Sequence, residues 1–97
     1  MDTTALSTMY LSATWIYPDH STKLDFALKA HETSTGADHS LKGLITERLA
    51  SLYADEGNLM EKERYQMEAI SEYKAYVLET SQAYTYANTL TRTSRNQ

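Results

Sequence analysis

Aspartate, histidine and serine occur together twice, as Asp19-His20-Ser21 and Asp38-His39-Ser40, with His31 between them. Three imidazoles near two carboxylates are the raw material of a zinc site or of a general acid–base pair. The spacing assembles neither. His31-Glu32 lacks the second histidine four residues on that a zinc-binding helix needs, and no Glu-x-x-His pair is present to build a carboxylate metal centre in a bundle. Both Asp-His-Ser strings read instead as helix N-caps, where a carboxylate accepts a first-turn N–H and favours the positive end of the dipole. Serine and threonine are plentiful, but there is no Gly-x-Ser-x-Gly elbow and no glycine-rich phosphate loop. The chain has no cysteine, hence no thiolate nucleophile, thiolate metal site or disulfide. The expectation is a non-enzyme with no catalytic residue, no metal and no cofactor.

Two other residue classes are conspicuous. Glu61, Glu63, Glu68 and Glu72, with Lys62 and Arg64 among them, read as a solvated helix face. Tyrosine is in excess, at eight, five of them from Tyr65 onward. Tyr73, Tyr76, Thr80, Ala83, Tyr84 and Ala87 form a stripe at helical spacing in a segment with little left to pack against. Tyrosine brings large contact area at low entropy cost, so this stripe is predicted to be a protein interface.

The elements that position these residues follow from length and periodicity. Ninety-seven residues make one domain, predicted over 1–92 with a frayed polar tail at 93–97. Hydrophobic residues at 41% and charged residues at 23% are globular proportions. A net charge of −4 disfavours nucleic acid, which needs a basic face. No apolar run reaches the length of a membrane span and no signal peptide opens the chain, so the expectation is a soluble, intracellular, cytoplasmic protein. Leu6, Met9, Tyr10, Ala13 and Ile16 recur at three- and four-residue steps, predicting a short first helix over about 3–16. Pro18 sits where helices commonly begin, and Leu24, Phe26, Ala27, Leu28 and Ala30 extend a second helix to about Thr33. Thr33 to Asp38 is a loop. Leu41, Leu44, Ile45, Leu49, Leu52 and Tyr53 then mark an amphipathic third helix ending near Gly57, whose freedom to take positive φ suits a helix terminus. From Leu59 no breaker appears until the tail, so one helix runs past Tyr84. The predicted fold is all-α: two antiparallel hairpins with a long C-terminal helix.

The stretch Leu49-Ala50-Ser51-Leu52-Tyr53-Ala54-Asp55-Glu56-Gly57 resembles the end of helix A and the turn of a tetratricopeptide repeat, in which a small residue lets two helices approach and glycine closes the turn. Glu61-Lys62-Glu63, Tyr65 and Ala69-Ile70 are similar to helix B. Ala27-Leu28, Glu32 and Gly36-Ala37-Asp38-His39-Ser40 resemble the inter-repeat loop of the longer, kinesin-light-chain-type repeat. Ala27 and Ala69 are separated by the 42 residues of that class, and the same offset pairs Leu11 with Tyr53, Tyr17 with Leu59 and Leu28 with Ile70. The chain departs from the pattern at Lys62, where helix B carries its most regular small residue, at Gln66 in an aromatic position, at Ser40 in place of the loop proline, and at Trp15 in place of the first turn glycine.

The resemblance implies a protein–protein interaction module, a scaffold or adaptor, with a concave surface carried by helix A. On matched positions that surface is Leu44, Glu47, Ser51, Ala54 and Asp55, mildly acidic with Arg48 at its margin, suited to a peptide bearing a basic residue. Two repeats are fewer than such stacks need alone, so homo-oligomerisation, a partner protein or capping by the last helix is expected. The alternative is an architectural subunit of a virion or multi-subunit complex, packed through Tyr73, Tyr76 and Tyr84. A metal enzyme using His20, His31 and His39 stands as a third possibility.

Overall fold

The computed structural model describes residues 3–95, with side chains through residue 89. The described chain is all-α: α1 (Thr4–Ile16), α2 (His20–Thr33), α3 (His39–Asp55) and α4 (Leu59–Arg95). Short connectors turn each helix back on its predecessor, and packing follows chain order. The α3–α4 interface is the most extensive, then α1–α2, then α2–α3.

Each boundary has a local cause. Pro18 ends α1 rather than opening α2: it forces Tyr17 into an extended conformation (φ −83°, ψ 132°), which takes that residue out of the helix. Helix α2 therefore starts two residues later, at His20, with Asp19 Oδ2 accepting from the Thr22 N–H at 3.1 Å. Asp38 does the same for α3 through the Leu41 N–H at 3.0 Å. Both Asp-His-Ser strings are thus N-caps. At the end of α3, Gly57 takes φ +79°, its N–H reaching Ala54 O and that of Asn58 reaching Tyr53 O, which is a Schellman closure. Asn58 Oδ1 then accepts the Glu61 N–H and opens α4.

The core is small and lies between α2, α3 and the first half of α4. Ala27, Ala30, Ile45, Leu49, Ala50, Leu52 and Tyr65 are buried in it, together with Leu11 from α1. Tyr53 stacks on Tyr65 across the α3–α4 seam, ring centres 5.7 Å apart and nearly parallel. Leu44 is not in this stripe: it is 52% exposed, one residue round the helix from fully buried Ile45.

Helix α1 departs further from the apolar pattern of its sequence. It turns Ser7, Leu11 and Thr14 inward and leaves Leu6, Met9 and Ile16 exposed. Hydroxyl pairing makes this possible, since buried polar groups are tolerated when bonded. Ser7 Oγ meets Thr33 Oγ1 at 2.8 Å, Thr3 Oγ1 donates to the Thr33 carbonyl, and Thr14 Oγ1 donates to Leu11 O at 2.6 Å.

Helix α4 is 37 residues long, about 55 Å at 1.5 Å per residue. It continues through Arg95 instead of giving way to a polar tail at 93, and of that tail only Asn96 and Gln97 lie outside the described residues. Helix α3, at 17 residues, supports less than half of this length. The molecule measures 61 × 29 × 20 Å with a radius of gyration of 17.4 Å, against about 12–13 Å for a compact chain of this size.

Candidate functional site

Two of the three histidines are spent on holding α4 to the body, and the third ties the start of α2 to the end of α3. Each histidine faces a glutamate far along the chain. His20 Nε2 lies 3.0 Å from Glu56, His31 Nε2 lies 2.7 Å from Glu68, and His39 places Nδ1 2.6 Å from Glu72 and Nε2 3.1 Å from Glu79. His39 has a carboxylate at both nitrogens, and only the imidazolium can donate from both. The Glu72 hydrogen bond, aided by the charges of Glu79 and Glu72, raises the His39 pKa above its ordinary 6.5, against partial desolvation and the charge of Lys42. Among the described residues, no three His, Asp or Glu side chains converge to hold a metal ion.

Two of the acids that receive these histidines, Glu68 and Glu72, were read from sequence as a solvated face. Glu68, Glu72 and Glu79, the acids of α4 that receive them, are spaced by four and seven residues and lie along one edge of the helix. That spacing is visible in the sequence. Their partners, 33 to 40 residues away, are not, because the register of α4 against α2 and α3 is set by the core.

A second attachment is steric. The ring of Tyr73 lies on the bare backbone of Gly43 in α3, where an added Cβ would stand 2.7 Å from the ring. This close approach is the reason for glycine in the middle of a helix. The Tyr73 hydroxyl donates to Glu47 Oε2 at 2.7 Å. Burial first, then that hydrogen bond and charge, push the Tyr73 pKa up to about 12.

These contacts redistribute the residues expected at a binding surface. Glu47, Ser51 and Asp55 are exposed along one edge of α3 and Ala54 is half-buried, but Glu47 is engaged by Tyr73 within the chain. Arg48 does not stand at the margin of a groove. It turns to α1, donating from Nε to Thr14 Oγ1 at 3.0 Å and from Nη2 to the Thr14 carbonyl at 2.9 Å, with its guanidinium 4.5 Å over the Trp15 ring. Trp15, in the position of a turn glycine, serves as the platform for this cation. Of the tyrosine stripe, Tyr73 faces α3, whereas Tyr76 and Tyr84 are exposed at 44% and 69%.

Beyond Tyr76 every residue through Thr89 is exposed. Comparison with protein-family models, curated proteins and solved structures returns no match. The candidate site therefore rests on this geometry alone. Its apolar part is an open cleft along α4 lined by Ile70, Tyr73, Lys74, Val77, Leu78 and Ser81. Ile70, Val77 and Leu78 are each more than half exposed. Sequence reasoning found the tyrosines of this helix but not its aliphatic residues. The signal available was the seven-residue spacing of Ile70, Val77 and Tyr84, which brings three apolar side chains to one side. No helix of the described chain is long and apolar enough to cross a membrane.

Proposed function

We propose that the chain is a non-enzymatic, tetratricopeptide-like interaction module that docks on a partner protein through the projecting half of α4. One observation carries this reading: a helix fixed at its first half by core packing, the His31–Glu68 and His39–Glu72 pairs and Tyr73 extends its apolar residues Val77, Leu78 and Tyr84 into solvent. Solvated large apolar groups in a contiguous patch mark interaction sites, and tyrosine is enriched there. The small residues Ala27, Ala50 and Ala69, buried where helices approach, are what a repeat-like hairpin stack requires. A concave groove on α3 is the weaker surface, since Glu47 and Arg48 are both committed within the chain.

The test is site-specific photo-crosslinking in the native cell, with the reactive residue at Val77 or at Ser51. Adducts at Val77 and none at Ser51 are expected. Adducts at Ser51 alone would move the interface to α3, and no adduct at either position would sink the interaction reading.

A further inference from the structure

Resting on the α4 docking surface just proposed, the geometry points to a second copy of this chain as its occupant, the two α4 helices running antiparallel. Ile70, Tyr73, Val77, Thr80, Tyr84 and Ala87 alternate steps of three and four residues, which is the spacing of a coiled-coil seam. None of the six is charged. Ile70, Val77 and Tyr84 are 54%, 59% and 69% exposed, so the seam is open apart from the edge of Tyr73 that lies on α3.

Three features select a second copy in this orientation. The seam is self-complementary when reversed about its midpoint: Ile70 then meets Ala87 of the other copy, Tyr73 meets Tyr84, and Val77 meets Thr80. Large Ile70 opposes small Ala87 at the outer layers, the β-branched Val77 and Thr80 meet at the centre, and tyrosine pairs with tyrosine between them. Charge favours the same direction. Five acids (Glu61, Glu63, Glu68, Glu72, Glu79) against Lys62, Arg64 and Lys74 leave the first part of α4 net negative, while after Glu79 the sequence holds Arg92 and Arg95 and no acid. Antiparallel pairing brings the net-positive end of one sequence beside the net-negative first part of the other, whereas parallel pairing sets like charge beside like. Bulk agrees. Helices α1–α3 sit against the start of α4, so an antiparallel pair puts the two bodies at opposite ends and a parallel pair crowds them together.

The seam spans about 27 Å and one helix diameter of about 10 Å, which is small for a specific interface. A dissociation constant of roughly 10–100 µM is therefore expected.

The experiment is sedimentation equilibrium of the full chain over about 5–500 µM, a range that brackets this affinity. Circular dichroism confirms the fold of each variant. The expected result is a monomer–dimer equilibrium that Val77→Glu abolishes. Gln82→Glu, exposed and about 140° further round the helix from Val77, should leave it within threefold. Orientation is read by disulfide trapping, which the absence of native cysteine makes unambiguous. Ile70→Cys mixed with Ala87→Cys should crosslink, and Ala87→Cys alone should not. A monomer throughout the range overturns the proposal, as does a dimer indifferent to Val77→Glu or one trapped by Ala87→Cys alone. If the chain is monomeric but Val77 still crosslinks to another protein in cells, self-pairing fails while the docking surface stands.

Discussion

The two halves of α4 are one continuous helix with opposite surroundings. From Leu59 to Tyr76 the helix gives Tyr65 and Ala69 to the core, Tyr73 to Gly43, and Glu68 and Glu72 to histidines. From Val77 to Thr89 every residue is exposed and Glu79 reaches His39, yet the helix keeps its apolar residues. Local propensity is sufficient to continue a helix already nucleated, because propagation adds one hydrogen bond per residue fixed. Propensity does not explain why exposed positions carry valine, leucine and tyrosine. A helix that needed only to be soluble would be polar all round. The second half is shaped for contact, and each prediction below sets a residue of the first half against one of the second.

The largest difference is expected between Leu49→Ala and Val77→Ala. Leu49 is fully buried beside the first half of α4, and truncating it should cost about 2–5 kcal/mol through lost burial and a residual cavity. Val77 is 59% exposed, and truncating it in the monomer should stay within about 0.5 kcal/mol. Urea unfolding at low protein concentration measures both. Comparable losses would mean that the second half folds back on the body.

Next is the Tyr73–Gly43 crossing. Gly43→Ala gains about 1 kcal/mol of helix propensity. It also places a methyl 2.7 Å from the Tyr73 ring, an overlap of the kind that costs about 1–3 kcal/mol. Net destabilisation of up to about 2 kcal/mol is expected, and Tyr73→Ala in the same chain should relieve it, making the pair strongly non-additive. A simply stabilised Gly43→Ala would show that the crossing is loose and that the first half is not anchored there.

How much of this was legible in the sequence differs by element. The four helices, both aspartate caps and the Gly57 terminus follow from short-range rules that the sequence states directly. Helix α1 misleads because its apolar residues have helical spacing but its packing uses hydroxyls, and only a partner such as Thr33 reveals which face is inside. Pro18 was legible as punctuation but not in direction: it can open a helix or end one, and the extended Tyr17 decides. Leu44 and Ile45 are adjacent apolar residues, and only the position of α4 determines which is buried. The His31–Glu68 and His39–Glu72 pairs and the Tyr73–Gly43 contact were not legible at all, since they depend on how far α4 slides along α3.

A pH dependence is expected from His39, the residue nearest the junction of the two halves. Its pKa is raised in the folded state, so the folded chain holds the proton more tightly than the unfolded one. The resulting stabilisation is fully present below about pH 6.5 and is lost as pH rises through the raised folded value. The lowered pKa of Asp38, caused first by its bond from the Leu41 N–H, sets an opposite loss as pH falls through that group's folded value, below its ordinary 3.8. The urea midpoint should therefore be higher at pH 6 than at pH 8, and His39→Gln should shrink that difference. An unchanged difference in the variant would assign the effect elsewhere.

The smallest expected effect is the most informative about the second half. A chain ending at Thr80 keeps the attachments of α4 through Glu68, Glu72, Tyr73 and Glu79, and removes most of the projecting helix. Its monomer should unfold within about 0.5 kcal/mol of the full chain, because exposed residues contribute little to global stability. The urea slope should barely change either, since it tracks surface newly exposed on unfolding. The same truncation removes Tyr84 and Ala87 and leaves each copy with only the first part of the seam, so self-association should disappear at concentrations where the full chain pairs. Loss of pairing with retained stability would separate the two halves of α4 by role: one holds the fold together and the other meets a partner. Loss of both would show that a helix drawn as an overhang is in truth part of the fold.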